Sequence, residues 1–223
     1  MSAGQLDLIR PAVLDVGTGR AEGDYYPTPA WLTRALLDHE MQGWGWLLGE
    51  QIATGLDVLD PGAGCGELCL EVERWVAEHA PESSVLRPRV TAVEYDVGRA
   101  SCLPDRWRAT CGDFFPWARL RAEERQRWPL IITNPPFSRW QEWIDVCLPL
   151  CGGYLAALAF TNILAGQARA AWWAEHRPEK VLISPKRPQF RGGSNDPRDT
   201  CWIVWRGYHK PERTELDWLE VTP

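Results

Sequence analysis

A chain of 223 residues, 24% charged and 45% apolar, is long enough for one well-buried α/β domain and too short for two full-sized ones. The net charge of −6 argues against an indiscriminate nucleic-acid binder but leaves room for a local basic patch. No apolar run reaches membrane-spanning length and no basic start leads into an apolar middle, so a cytoplasmic protein without a membrane partner is expected. Seven cysteines, an odd number with no Cys-x-x-Cys, and four scattered histidines predict small buried thiols, with neither disulfides nor a metal site.

Residues 1–24 are Gly-rich and mixed, and are expected to form a partly ordered arm ahead of a single domain over 25–223. "YPTPAWLTRALLDHEM" predicts a helix with Thr28 as N-cap and Pro29 at its first position. Residues 42–55 are an irregular connector. "LDVLDPGAGCGELCLEVERWVAEHA" predicts strand, glycine turn and helix, while "RVTAVEYD" and "RATCGDFF" each predict a strand. "LRAEERQRW" is a charge run, taken as a solvated connection. Trp128-Pro129 leads into Leu130, Ile131 and Ile132, an apolar run that predicts a buried strand, and "RWQEWIDVCLPL" predicts a helix with Trp140, Trp143, Ile144, Cys147 and Leu148 on one stripe. "GGYLAALAF" predicts a strand, "GQARAAWWAEHR" a helix, and "KVLIS" and "TCWIVWRG" two last strands. Strands alternating with helices imply a doubly wound, mostly parallel sheet.

Two stretches could cradle a nucleotide-like cofactor. "LDVGTGR" (14–20) lacks a third glycine and a following helix, whereas "LDPGAGCGE" (59–67) sits between a strand and an apolar-striped helix and is preferred. Glu94, at the end of the next strand, is placed to hold ribose hydroxyls, with Asp96 as competitor. Asp113 and Phe114 follow a third strand and could bond to and stack on an adenine ring. The two prolines of "TNPPF" stop the strand before them and leave Asn134 and Phe137 on a stiff turn at its carboxyl end.

In this order "DPGAGCG" (60–66), "VEYD" (93–96), "GDFF" (112–115) and "NPPF" (134–137), with "YYPTP" (25–29) ahead of them, resemble the S-adenosylmethionine-dependent amino-group DNA methyltransferases. The order looks like the adenine-modifying branch, and "RPQFRGGSNDPRDTCWIVW" is similar to the closing segment of small phage and prophage adenine methyltransferases. The likeness covers roughly residues 24–206 and implies a Rossmann-like class I fold with an antiparallel strand near the C-terminus. It implies that Asp60 holds the cofactor's ammonium and that Pro61, Gly62, Gly64 and Gly66 line its path. Glu94 and Tyr95 would flank the ribose, Asp113 and Phe114 the adenine, and Tyr26, Thr28 and Pro29 the methionine carboxylate.

The resemblance also implies a use for the proline turn. The side-chain oxygen of Asn134 and the carbonyl of Pro135 would each accept one N–H of an adenine amine, pushing its nitrogen toward tetrahedral geometry so that the lone pair faces a methyl donor. Pro136 stiffens the turn and Phe137 would stack on the extruded base. DNA contacts are expected from the N-terminal arm, the 42–55 connector or the basic loop 184–199, of which the loop offers Lys186, Arg187, Phe190, Arg191 and Arg198 for phosphate contacts and base stacking. Rival readings are methylation of RNA adenine or of a glutamine side chain, and a catalytically inactive DNA-binding module of the same fold. Gly64→Val should block S-adenosylmethionine binding in calorimetry and Gly17→Val should spare it; the reverse pattern would move the cofactor to the first loop.

Overall fold

The computed structural model describes residues 25–40, 55–79, 87–190, 198–207 and 209–221. The arm 1–24, most of the 42–55 connector and Arg191 lie outside the described residues. Eight strands form one sheet: β1 (Asp57–Asp60), β2 (Arg89–Glu94), β3 (Arg108–Cys111), β4 (Trp128–Thr133), β5 (Cys151–Phe160), β6 (Lys180–Ile183), β7 (Thr200–Arg206) and β8 (Glu215–Trp218). Their spatial order is β3-β2-β1-β4-β5-β7-β6-β8. Strand β7 runs antiparallel to both β5 and β6, and every other pairing is parallel.

The central strands are near-continuous apolar runs because both of their faces are covered. Alternate residues enter two separate cores. Val58, Val90, Ala92, Leu130, Ile132, Ala156 and Leu158 face one, whereas Leu59, Val93, Ile131, Leu155 and Ala157 face the other. Helix α1 (residues 30–40) and α2 (Glu67–His79) cover the first face. Beyond the one-turn α3 (Val97–Ala100), helices α4 (Phe114–Glu123), α5 (Trp140–Cys147) and α6 (Ala170–Glu175) cover the second. The expected stripe of α5 is buried at Trp140, Trp143, Ile144 and Cys147.

Three details differ from the sequence reading. The charge run after Leu120 is partly the end of α4, because the Asp113 carboxylate accepts from Phe115 N and starts a helix where a strand end was expected. Strand β8, all four residues of which are exposed, follows the two strands taken as last. Among the described residues it pairs with β6 alone, and so exposed a segment carries little of the apolar signal by which strands are found. Of the cysteines, all free, Cys102 and Cys111 are exposed and Cys65 is half-buried.

Helix α1 is held from two sides. Arg34 pairs with Glu71 at 2.7 Å and Asp38 accepts from the Trp75 indole at 2.7 Å, tying it to α2. On the sheet side Trp202 Nε1 donates to Leu32 O, and Glu40, 1% exposed, takes Lys180 Nζ at 3.1 Å. Removing one partner of such a pair strands the other charge. Glu40→Ala should therefore cost about 3 kcal/mol in urea unfolding, with Glu40→Gln costing less; an unchanged midpoint would show that α1 is held without this pair.

Candidate active site

Strand order reverses between β1 and β4, and at the carboxyl ends of the strands on either side a cleft of about 290 Å³ opens. The glycine turn after β1 supplies its floor. Gly64 has φ +57°, and a Cβ there would stand 2.7 Å from the Tyr25 ring. Both the backbone angle and the close ring demand glycine. Gly62 lies under the Trp143 indole, whose Cζ2 would sit 3.3 Å from an added Cβ. Gly66 packs away from the cleft, against Trp107, and so serves the joint between turn and helix.

The cleft is acidic. Glu67, Glu94 and Asp96 line it with Arg99. Glu94, 7% exposed, accepts from Gly64 N at 2.9 Å through one oxygen, and from Asp96 N and Arg99 Nε through the other. It therefore already fixes the glycine turn against β2. Beneath the turn Asp60 is fully buried; Oδ1 accepts from Gly62 N at 3.3 Å, while Oδ2 is buried with no partner among the described residues. Burial pushes its carboxyl up to about 8; the Gly62 N–H opposes this, and Glu94 and Glu67 add to the rise.

Segment 25–28 forms the opposite wall. The Tyr25 hydroxyl donates to Glu67 Oε1 at 2.8 Å, and the Arg99 guanidinium lies 4.7 Å from the centre of its ring. Burial, then Glu67, raises the Tyr25 phenol well above its ordinary value, so it stays a donor. Asn134, directly after β4, donates through Nδ2 to Tyr26 O at 2.7 Å and Thr28 Oγ1 at 3.0 Å. A carbonyl oxygen can only accept, so the amide cannot be turned the other way round. Asn134 Oδ1 is thereby left buried and, among the described residues, without a hydrogen-bond donor. Pro135 next to it is buried, and the Pro136 carbonyl accepts from Arg139 N, closing the turn.

Of the residues expected at the site, Tyr26, Thr28, Gly62, Gly64, Glu94, Tyr95, Asn134 and Pro136 meet in this cleft. Asp60 and Pro61 lie buried under it. Others do not meet there. Asp113 is exposed and spends its carboxylate on capping α4, which turns Phe114 inward to 2% exposure against Trp143. The aromatic wall is thus Trp143, which had been assigned only to the core stripe. Its Nε1–H is buried without a partner among the described residues, the one sign that it serves more than packing. Pro29 faces a separate groove with Trp31. Phe137 stacks on Phe160 with ring centres 3.8 Å apart and also meets Tyr26, so one of its faces is already taken. Glu67 and Arg99 were not assigned from sequence, whereas Tyr25, part of the expected "YYPTP" element, does line the cleft. A first-turn acid after a glycine loop and an arginine five residues past Glu94 are too ordinary to single out.

In the basic loop the expected stacking role of Phe190 is corrected. Its ring is 3% exposed, packed edge-on to Tyr26 and Phe160, and anchors the loop to the core. Lys186 and Arg187 are exposed, with Arg187 paired to Asp199 at 2.7 Å, and Arg198 lies 3.6 Å over the Phe160 ring. Among the described residues no three metal-ligating side chains cluster, and no helix is long and apolar enough to cross a membrane.

No family model and no curated protein matches the chain. Solved structures do. A putative class I S-adenosylmethionine-dependent methyltransferase from Listeria monocytogenes superposes with a TM-score of 0.65 at 13% identity, over 92% of this chain and 69% of that one. The fold is that of the class I methyltransferases. A modification subunit of a putative type I restriction enzyme from Vibrio vulnificus gives 0.60 at 12% identity, over 83% of this chain and 45% of its own. A putative RNA methyltransferase from Pyrococcus horikoshii gives 0.57 at 17%, over 82% and 87%. The chain thus spans less than half of the restriction-enzyme subunit.

The buried Asp60 carboxyl has a pH consequence. Its pKa is raised on folding, so the folded state binds the proton more tightly than the unfolded chain. Its effect on stability is therefore most favourable below about pH 4, the unfolded value, and is lost as pH rises toward 8. Asp60→Asn should melt higher than wild type at pH 8, with the gap closing toward acid pH. A gap that stays constant with pH would mean that Asp60 ionises normally in the fold.

Proposed function

We propose that the protein transfers a methyl group from S-adenosylmethionine to the exocyclic amino group of adenine in DNA. The observation that carries this reading is the Asn134 amide, locked by Tyr26 and Thr28 with its bare oxygen at the end of β4. A buried acceptor without a donor is costly, and an amine N–H is the group that would relieve it. Because Oδ1 is sealed from solvent in the free protein, docking of the base would require a neighbouring group to move aside.

The cleft residues suit the cofactor. The orphan oxygen of Asp60 and the acidic lining match a ligand bearing an ammonium and a sulfonium, and the Gly64 backbone leaves room for a close approach. Asp60 would hold the ammonium, Glu94 and Tyr95 would flank the ribose, and Trp143 would offer an aromatic wall in place of Phe114. When bound, S-adenosylmethionine supplies an electrophilic methyl group. The protein's share is positional: Asn134 Oδ1 and the Pro135 carbonyl accept the two amine hydrogens, and the proline pair keeps both acceptors from relaxing. Lys186, Arg187 and Arg198 would supply a basic margin for the DNA backbone in an otherwise acidic chain, and the sequence expectation for Arg191 falls outside the described residues. The solved structures, a restriction-enzyme modification subunit and a putative RNA methyltransferase among them, carry the fold, and the choice of DNA rests on the sequence resemblance.

Incubation with methyl-labelled cofactor and DNA, RNA or protein, followed by digestion, should place the label in N6-methyldeoxyadenosine. Label in RNA or in glutamine would replace DNA adenine as the substrate. Asn134→Ala should lower turnover by about a hundredfold or more, by analogy with a lost oxyanion-hole donor, while calorimetric affinity for S-adenosylmethionine stays near wild type. Surviving turnover in a variant with intact affinity would remove Asn134 from the reaction.

A further inference from the structure

A second groove, of about 400 Å³, lies across segment 25–29 from the cleft and is lined by Pro29, Trp31, Lys186, Arg187 and Gln189. We propose that it is a nucleotide subsite in which the base next to the target adenine on the same DNA strand stacks on Trp31 while Lys186 and Arg187 meet its phosphate; this rests on the adenine-DNA reading above.

The groove's cations are pre-set by the loop that carries them. Ser184 Oγ donates to Lys186 O at 2.6 Å, and Pro188 and Phe190 are buried, so the loop is pinned at alternate positions. Lys186, Arg187 and Gln189 point outward between those pins. Little ordering cost then attaches to presenting them. The Lys186 ammonium lies 5.2 Å from the centre of the half-buried Trp31 ring. An entering base would take its place on the ring, and the flexible lysine stem would carry the charge out to the phosphate, where it is better paired. Arg187 reaches the same rim and is steadied by Asp199. An indole face beside two cations is what a single strand, or a locally opened duplex, requires.

The position relative to Asn134 supports a neighbouring nucleotide over an unrelated ligand. Thr28, which accepts from Asn134 Nδ2, lines the cleft; Pro29, the next residue, lines the groove. Leu32 N donates to Pro29 O at 3.0 Å, so Trp31 stands within one tight turn of the acceptor site. A strand with one base at Asn134 runs directly past Trp31.

The test is a binding experiment, independent of methyl transfer. Fluorescence anisotropy would compare a labelled single strand containing one adenine with two strands made abasic on either side of it. For wild type, removing the base on one side should weaken binding about tenfold. Trp31→Ala should weaken binding of the intact strand by a similar factor and then be indifferent to the missing base, whereas Trp31→Phe should keep most of the sensitivity. Should Trp31→Ala fail to fold, 5-iododeoxyuridine placed beside the adenine should photocrosslink wild type at Trp31. Equal sensitivity of Trp31→Ala and wild type to the abasic site, or crosslinking confined to other residues, overturns the subsite. If adenine is methylated in DNA while either of these negative results holds, the subsite alone falls. If DNA is neither bound nor methylated, the adenine-DNA reading falls with it.

Discussion

One hydrogen bond organises the candidate site: Asn134 Nδ2 to Tyr26 O, joining segments 108 residues apart at 2.7 Å. It ties the entry segment to the end of β4, and because its acceptor is a carbonyl it fixes the orientation of the amide, leaving buried Oδ1 as the end without a donor among the described residues. Everything proposed for the acceptor turn depends on that orientation. The orientation in turn depends on α1, since Tyr26 and Thr28 are positioned by the helix that follows them. The ion pairs that hold α1 to α2 and the sheet therefore belong to the site's support, although none of them reaches the cleft.

The cleft shows a second constraint, that of charge. Carboxylates gather round the glycine turn: Glu94 fixes its backbone, Glu67 holds the Tyr25 hydroxyl, and Asp60 sits beneath it with one oxygen bare. In the free protein this arrangement works against itself, and burial leaves Asp60 reluctant to ionise. The proposed cationic ligand would remove the conflict, so that strain in the free state and affinity for the ligand would have the same source. The Tyr25 ring, against Gly64 on one side and Arg99 on the other, lies over the same turn, so the entry segment already covers part of the cleft.

Much of this was legible in the sequence because it depends on local chemistry. The glycine turn, the proline turn and the buried strands around them declare themselves through φ requirements, missing donors and apolar runs. The doubly wound, mostly parallel sheet follows from the alternation of strands with helices, whereas the late antiparallel strand was implied by the family resemblance alone. What was not legible depends on side-chain direction. Phe114 and Trp143 are equally aromatic, and only the Asp113 cap, which points Phe114 into the core, decides which of them forms the wall. Phe190 lies in a basic, glycine-containing loop that looks wholly exposed, yet its ring is needed to fill the space between Tyr26 and Phe160. Strand β8 exists because β6 offers it a ladder, a long-range pairing that its own four residues do not announce.

The most direct test of the central claim is a crystal structure of the protein with an unreactive S-adenosylmethionine analogue and an adenine-containing DNA strand. The account predicts the adenine N6 within about 3 Å of Asn134 Oδ1, with Nδ2 still on Tyr26 O. An adenine bound elsewhere, or an Asn134 amide turned so that Nδ2 faces the base, would contradict it.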